Sequence, residues 1–404
     1  MTDEPDVQPL RGLRILDAGS FIAAPLAAML LGDWGADVIK LESLAGDQAR
    51  EVGEQAGAGM SPTFVSCNRG KRSVALDLSG DGAAARVRPL AAACDIVVHN
   101  LPASTASRLG LDHESLLEER PDAVLCTITA FGELGPYAGR PALDPIVQAM
   151  AGMAASTGVP GGEPMRCAAP VIDTAAGFAG AAAALAALHA RRSGGMRVSV
   201  SLLEVALACQ GPLLALRSML GRTPPRRGNG SYAVLGDQLA TADGLLAFVV
   251  WDDRRWAALC DVLQLDEIAA NPRFASNELR CEQQDELRSS LRAAFARWPG
   301  RELEARLLAR GVPCAVTQDL DAVVADPHIR AAGAVYEETR LEGPSLTLPC
   351  GPVRLAGRRL PAALRPPYLG EHTDEVLAEL TDPRPEDHEH MNTAAPLPPS
   401  GDPT

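Results

Sequence analysis

The chain has 404 residues, of which 47% are hydrophobic and 22% charged. This length allows one large or two medium domains, and the composition is that of a soluble globular protein. The formal charge of −14 argues against binding along nucleic acid or on an anionic membrane. Nine cysteines without Cys-x-x-Cys spacing predict neither a disulfide framework nor a zinc site. Since the acidic N-terminus does not resemble a signal peptide, we expect a reducing cytoplasm.

Strand-like and helix-like segments alternate through the first 130 residues. The predicted strands are 13–17, 35–42, 73–78, 95–99 and 123–128, and the predicted helices are 23–31 and 81–93. This alternation predicts a parallel α/β sheet of the Rossmann-like type. No Gly-x-Gly-x-x-Gly motif follows the first strand. We therefore expect a nucleotide-type scaffold without a nicotinamide site.

The second half predicts a smaller α+β domain. A strand at 198–202 and a helix at 203–220 are still predicted to belong to the large domain, and the smaller domain is predicted to contain a strand near 245–250 and helices at 253–263, 283–296 and 302–310. A Pro- and Gly-rich run at 223–230 marks the boundary between the domains. We predict a large domain over 1–222, a small domain over 223–328, a return segment to the large domain over 329–381 and a disordered tail over 382–404.

Asp173 is a lone carboxylate among small and apolar residues. The Ala- and Leu-rich run that follows it predicts a buried helix from Asp173 to about residue 192. Its apolar part, 175–190, is too short and too rich in small residues to predict a membrane span. With no His, Cys or second acid nearby, Asp173 is a candidate to act alone as nucleophile or base. On this window alone a plain helix cap is favoured, and a helix N-terminus would also keep the carboxylate ionised.

Four further blocks occur in a recognisable order. They are 10–17 with 35–42; 68–73 with 76–78; 131–158 followed by the Asp173 helix; and 242–244, 271–274 and 326–328. Together they resemble the class III CoA-transferase family, of the formyl-CoA transferase, carnitine CoA-transferase and α-methylacyl-CoA racemase type, over residues 10 to about 380. The resemblance implies that Asp173 is the nucleophile. It also implies an open-ring chain interlocked with a second copy as a homodimer. Coenzyme A or acyl-CoA would be a substrate held by the α/β domain, with no metal and no permanently bound cofactor.

The residue before Asp144 separates two activities of that family. Racemases that resemble this chain have a His there, whereas this chain has Leu143. Racemisation needs a proton donor and an acceptor on opposite faces of the α-carbon, and leucine can be neither. We therefore expect CoA transfer from an acyl-CoA to a carboxylic acid through an aspartyl-CoA thioester on Asp173. The alternatives are an acyl-CoA racemase or epimerase, and a CoA-ester-binding protein without turnover. The acyl groups are not specified by the sequence.

The resemblance also implies a set of CoA contacts. They are Ile22, Ala23, Leu76, Asn100, Leu101, Arg108, Leu109 and Arg140. For the leucines, core packing is an equal alternative, and Arg108 is either a phosphate ligand or a solvated helix residue. An Arg that contacts CoA in relatives is replaced here by Ser43.

Asp144, Gly228 and Gly230 are further candidate neighbours of the acyl group, in addition to Arg140. Asp144 and Arg140 flank the expected acyl region, where Asp144 either contacts the substrate or braces its loop. Gly228 and Gly230 match a glycine-rich flap over the acyl site, but they equally fit an interdomain linker.

Overall fold

The computed structural model describes residues 8–55, 57, 59–190, 194–342, 344–355, 357–359 and 365–380. The predicted disordered tail, 382–404, lies outside these described residues. The strands are β1 (Arg14–Asp17), β2 (Asp37–Ser43), β3 (Arg72–Leu76), β4 (Ile96–His99), β5 (Val124–Thr129), β6 (Met196–Ser201), β7 (Leu235–Ala240), β8 (Leu245–Val250), β9 (Cys314–Val316), β10 (Val335–Glu338), β11 (Leu346–Pro349), β12 (Arg354–Leu355) and β13 (Arg358–Arg359).

The helices follow the strands closely in the first part of the chain and dominate the second part. They are α1 (Ala23–Asp33), α2 (Pro62–Cys67), α3 (Ala83–Ala92), α4 (Ala103–Leu109), α5 (His113–Glu119), α6 (Asp144–Met150), α7 (Met153–Ser156), α8 (Val171–Ala190), α9 (Leu202–Cys209), α10 (Gly211–Leu220), α11 (Asp253–Leu263), α12 (Asp266–Ala269), α13 (Asn277–Glu282), α14 (Gln284–Phe295), α15 (Gly300–Ala309), α16 (Leu320–Ala325), α17 (Pro327–Ala331) and α18 (Thr373–Glu379).

The chain forms two compact units. The first consists of the described residues of Met1–Leu143, Val171–Val205 and Ala334–Thr404, and the second of Asp144–Pro170 and Ala206–Gly333. The bounds of these units fall at 205/206 and 333/334, and 144–170 joins the second unit. The domain boundaries predicted at 222/223 and 328/329 stay a prediction.

A six-stranded parallel sheet forms the centre of the first unit. Its strand order is β3-β2-β1-β4-β5-β6, and every neighbouring pair is parallel. This is the strand order of a doubly wound Rossmann-type sheet, whose ligands bind beyond the carboxyl ends of the strands. The predicted parallel α/β class is confirmed, and each strand predicted up to residue 202 is present with its ends shifted by no more than a few residues.

Helices cover both faces of this sheet. On one face, Val87 of α3, Leu116 of α5 and Val376 of α18 share a buried cluster with strand residues such as Leu16 and Val97. On the other face, α8 packs against α1, β5 and β6. By length and composition α8 is apolar enough to cross a membrane. The buried helix of a globular core has the same character, and α8 buries its small residues against α1 and the sheet.

The second unit is a smaller α+β assembly, as predicted. Its antiparallel sheet has the order β7-β8-β9. In β8, Leu246, Phe248 and Val250 are buried while the alternate residues are exposed, so one face of the sheet carries the core. Residues of α11, α14 and α15 pack on that face.

Two helix predictions need correction. The single helix predicted over 203–220 is two helices, α9 and α10, separated at Gln210. Pro212 lies in the first turn of α10, where its missing N–H leaves no hydrogen bond unmade. The helix predicted to begin at Asp173 begins at Val171, so Asp173 lies inside the first turn instead of at the cap position.

Candidate active site

The turn between β1 and α1 is fixed by charged side chains at the ends of neighbouring strands. Asp17, the last residue of β1, accepts a hydrogen bond from the Gly19 amide at 2.9 Å. Lys40 on β2 donates to the Gly19 carbonyl at 2.6 Å. The charged side chains of Asp17 and Lys40 are both completely buried. The backbone of the turn is therefore hydrogen-bonded to a buried ion pair.

The next two residues of the turn are also held by side chains. Asn100, after β4, accepts from the Ser20 amide and donates to the Ser20 carbonyl, both at 2.9 Å. The Phe21 amide donates to Asp47 at 3.3 Å, and Phe21 has a φ of 61°, which is uncommon for a residue with a Cβ. Because these amides are used within the protein, the turn lacks the row of free N–H groups that cradles a pyrophosphate in dinucleotide-binding loops. The absent glycine motif agrees with this geometry.

Lys71 joins Asp17 to the start of α1. Its ammonium group donates to Asp17 Oδ2, to the Pro25 carbonyl and to Asn68 Oδ1, each at 2.7 Å. Burial lowers the pKa of Lys71 to about 8, although the Asp17 charge opposes this shift. Burial alone would raise the pKa of Asp17, but the ammonium groups of Lys40 and Lys71 hold it below its usual value. The group is therefore a network of paired charges at neutral pH.

Sequence reasoning did not identify these two lysines as part of the site. The chain has 37 basic residues, and Lys40 and Lys71 are its only lysines. Lysine is a compact point charge with three donors, whereas arginine is a planar fork. Each lysine here occupies a pocket between a carboxylate and carbonyl or amide oxygens, which suits an ammonium group. The rarity of lysine was the one available signal.

The predicted CoA contacts at the ends of the strands share one edge of the sheet. Ile22 directly precedes α1 and Ala23 begins it, Leu76 ends β3, and Asn100 and Leu101 directly follow β4. Every one of these positions is at the carboxyl edge, where ligands of doubly wound sheets bind. The structure therefore brings this group together.

The leucines among these contacts also serve the core. Leu76 and Leu109 belong to the buried cluster under the sheet, and Leu101 packs against it. Leu101 is further held by His99, whose Nδ1 accepts the Leu101 amide at 3.2 Å while Nε2 lies 3.2 Å from the Leu111 carbonyl. Burial lowers the pKa of His99 to about 4, so this ring is neutral and donates from Nε2. Core packing is thus observed for the leucines, and their contact with CoA stays a prediction.

The two predicted arginines lie on the surface. Arg108 of α4 is exposed and donates to the carbonyl of Leu78, two residues after the end of β3, at 2.7 Å. Arg140 is exposed in the segment that follows β5, with its guanidinium carbon 5.7 Å from the centre of the Phe131 ring and 5.5 Å from that of Tyr137. Both guanidinium groups are accessible to a ligand. Ser43, which replaces a CoA-contacting Arg, ends β2 and bonds within its own turn to Gly46.

The packing of α8 on α1 places Asp173 beside the predicted CoA contacts. A Cβ built on Gly177 would lie 2.9 Å from the Cγ of Leu26, so the Leu26 side chain of α1 packs directly on the backbone of α8 at Gly177. Asp173 precedes Gly177 by one helical turn, and Ile22 precedes Leu26 by the same four residues. The first turns of α1 and α8 are therefore adjacent.

The sheet fixes the height of Asp173 as well. Gly180 packs against Ile128, near the carboxyl end of β5. Asp173 precedes Gly180 by seven residues, about 10 Å along the helix axis, and so lies beyond the edge of the sheet. Its side chain is mostly buried, with 8% relative exposure. The positive end of the helix dipole lies at this first turn and favours negative charge there.

Asp144 lies in the second unit, in the first turn of α6. It is buried and accepts a hydrogen bond from Gln148 at 2.5 Å. The other end of the Gln148 amide accepts from the backbone N–H of Cys167 at 2.9 Å. This is the geometry of a loop brace, and a contact between Asp144 and substrate stays a prediction.

The Gly228–Gly230 loop is tied down within the second unit. The Gly228 amide donates to the Gly158 carbonyl at 3.0 Å, and the Gly230 amide to Arg227 at 3.0 Å. Gly228 has a φ of 61°, and a Cβ on Gly230 would lie 2.6 Å from the amide nitrogen of Gln284. The positive φ of Gly228 and the close packing around Gly230 favour glycine at both positions, and a flap function stays a prediction.

Comparison with known proteins gives a consistent result. A model of CoA-transferase family III matches residues 10–373. The chain is 35% identical to a succinate–glutarate CoA-transferase of Agrobacterium fabrum over 94% of this chain and 98% of that protein. It is 30% identical to the human succinyl-CoA:glutarate CoA-transferase over 94% and 87% of the two chains. The crystal structure of a CAIB/BAIF family protein from Brucella suis superposes with a TM-score of 0.82 at 31% identity, covering 93% of this chain and 100% of that one.

Proposed function

The chain belongs to CoA-transferase family III and is a CoA-transferase, and we propose that it moves CoA between dicarboxylic acids through a covalent intermediate on Asp173. The observation that carries the proposal is the position of this carboxylate. Asp173 is mostly buried in the first turn of α8, next to the first turn of α1 and beyond the carboxyl edge of the sheet. Asp173 is the only Asp or Glu among residues 168–190, so no neighbouring acid in this segment competes for the role of nucleophile.

The reaction divides into two equivalent halves. The Asp173 carboxylate attacks the thioester carbonyl of the donor, which forms a mixed anhydride and releases CoA thiolate. The thiolate then attacks the Asp173 carbonyl, giving an aspartyl-CoA thioester and the free donor acid. The acceptor carboxylate attacks that thioester to form a second anhydride, and the returning thiolate takes the acceptor acyl group and regenerates the Asp173 carboxylate. Charge moves between oxygen and sulfur, and each carbon keeps its oxidation state.

The fold supplies what this chemistry needs. CoA stays bound between the two halves, so its thiolate is present at high effective concentration. The turn after β1, which is held by hydrogen bonds to buried side chains, positions Ile22 and Ala23 next to the first turn of α8. Burial of Asp173 keeps water away from the anhydride and the aspartyl thioester, both of which water would hydrolyse.

The substrate class rests on the relatives. Several of them, at 30–35% identity across most of both chains, are named for succinate, glutarate or both. We propose succinyl-CoA as donor and glutarate as acceptor, or a pair of similar length. Coenzyme A is a substrate of this reaction, and the scheme uses no permanently bound cofactor.

Mass spectrometry of the Asp173 peptide tests the mechanism. Incubation with succinyl-CoA is expected to add the mass of CoA, less water, to that peptide. The Asp173→Ala and Asp173→Asn variants should bind CoA, show no adduct and lose transfer by at least a factor of about 10³, since a covalent nucleophile has no substitute here.

Asp112→Ala provides the matched control. Asp112 caps α5 through the Ser115 amide at 3.1 Å, so its loss should lower stability by about 1 kcal/mol and leave transfer intact. Transfer at wild-type rate in Asp173→Ala would refute the assignment. Exchange of the α-proton with deuterated water in the absence of an acceptor acid would instead indicate racemase chemistry, for which Leu143 supplies no proton acceptor.

A second copy of the chain would explain its exposed apolar helix. No residue of α10 is buried in the single chain, and Leu214, Met219 and Leu220 are 44%, 85% and 45% exposed. Apolar side chains at this density usually mark an interface. We propose that a second copy covers them in an interlocked homodimer, which light scattering at micromolar concentration would show as twice the chain mass.

The proposed setting is the cytoplasm. Cys67, Cys94, Cys126, Cys260 and Cys281 are buried free thiols, as expected for a chain that folds under reducing conditions.

A further inference from the structure

Arg140 is an exposed cation that has no acidic partner among the described residues. Its backbone amide donates to Tyr137 at 3.0 Å, but its guanidinium group makes neither a hydrogen bond nor an ion pair with any described residue. The acid in the same segment, Glu133, is already used: it pairs with Arg197 and accepts a hydrogen bond from Thr127.

Two aromatic rings support this guanidinium group. Phe131 is buried, while Tyr137 is 45% exposed, and their ring centres lie 5.8 Å apart at an interplanar angle of 56°. The guanidinium carbon lies within 6 Å of both ring centres, which is the range of a cation–π interaction. These contacts hold the cation and leave its N–H donors available.

The segment that carries Arg140 begins at the carboxyl edge of the parallel sheet, the edge beyond which Asp173 lies. It follows β5 directly, and a Cβ built on Gly132 within it would lie 3.7 Å from the Cβ of Ser201, the last residue of β6. The N-terminal turn of α8 lies beyond this same edge, because Gly180 packs on Ile128 of β5. Arg140 and Asp173 therefore belong to the same unit and to the same edge of its sheet.

We propose that Arg140 determines specificity by binding the distal carboxylate of the dicarboxylic acid, the carboxylate that does not react. This inference rests on the proposed function and assigns Arg140 to the acid instead of to CoA. A planar guanidinium group binds a carboxylate through two parallel hydrogen bonds. A monocarboxylic acid of the same length would leave that cation unpaired and gain nothing from it.

The test compares two acceptors that differ in one carboxylate. With succinyl-CoA as donor, initial rates are measured for glutarate and for valerate, which has the same five carbons and no distal charge. Wild type should prefer glutarate roughly ten- to hundredfold in kcat/KM, the usual range for hydrogen bonds to a charged group. Arg140→Gln should lose that preference through a higher KM for glutarate, with valerate changed less than about twofold, and Arg140→Lys should recover part of it.

Arg88→Gln is the matched control. Arg88 is a half-buried arginine of the same unit that pairs with Glu119 at 3.4 Å, and its variant should retain the full preference. Equal losses for glutarate and valerate in Arg140→Gln, or a weaker Kd for CoA, would overturn the inference and return Arg140 to CoA binding. Absence of wild-type transfer to either acid would refute the proposed function itself, and this inference with it.

Discussion

Replacing Gly177 by alanine tests the helix contact that positions Asp173. The new methyl group would lie 2.9 Å from Cγ and Cδ2 of Leu26 and 3.0 Å from its Cβ. Carbon atoms prefer separations of about 3.5–4.0 Å, so either Leu26 or the whole of α1 has to move by roughly half an ångström or more. Leu26 is buried, with 9% exposure, and has little free space to turn into.

Two opposing free-energy contributions set the size of the effect. Alanine is a better helix former than glycine by about 0.8–1.0 kcal/mol. Overpacking a close contact costs about 1–3 kcal/mol. The expected net change is a loss of stability of about 1 kcal/mol. Activity should fall further than stability suggests, because displacing a reacting group by about 1 Å can lower the rate up to a hundredfold.

The assay combines urea unfolding with initial rates of CoA transfer. Ala182→Gly provides the reference, because Ala182 is an exposed residue of the same helix. Its substitution measures the difference in helix propensity between alanine and glycine in α8 without a contribution from packing. The two helices are in tight contact if Gly177→Ala destabilises the protein. A gain in stability equal to the Ala182→Gly loss, at unchanged transfer rate, would show that Leu26 yields freely and would refute the reasoning.

Two further predictions concern buried charges. Because burial lowers the pKa of His99 to about 4, the unfolded chain binds more protons than the folded chain between pH 4 and 6.5. Stability should therefore fall by about 2 kcal/mol from pH 7.5 to pH 5, and urea midpoints of His99→Gln should lack this part of the slope; an identical slope would contradict it. Asp17→Asn leaves Lys40 and Lys71 buried with less countercharge and should cost about 3–5 kcal/mol, whereas the exposed Asp77→Asn should cost less than about 0.5 kcal/mol. Equal midpoints for these two variants would mean that the network is not stabilised by Asp17.

The elements that the sequence predicts well are those with a strong local pattern. The strands of the large sheet are short apolar runs between turns, and the Ala-rich run after Asp173 can only be a helix. Strand order joins residues as far apart as Leu16 and Val97, and the contact of Gly177 with Leu26 joins residues about 150 positions apart. No local pattern contains that information. The same holds for the cluster of Asp17, Lys40 and Lys71, whose members come from three separate strand regions.

Two local errors have local causes. Helical character continues on both sides of Gln210, so the composition of 203–220 indicates one helix and hides the break at Gln210, after which Gly211 and Pro212 begin α10. Aspartate is a common cap, so the sequence predicts that α8 starts at Asp173, yet Val171 and Ile172 already belong to the helix. That shift matters for chemistry, since it moves the carboxylate from the cap position into the first turn.

The turn after β1 has a consequence for anyone who would transplant this site. The conformation of the turn is not determined by its own residues alone, because the backbone polar atoms of Gly19 and Ser20 are hydrogen-bonded to the side chains of Asp17, Lys40 and Asn100. Grafting the turn onto another scaffold would fail unless those distant positions travelled with it. If the turn alone were randomised, most variants would be lost because they no longer fit the unchanged side chains of Asp17, Lys40 and Asn100. New ligand preferences are therefore better sought in the exposed segments beyond the sheet edge.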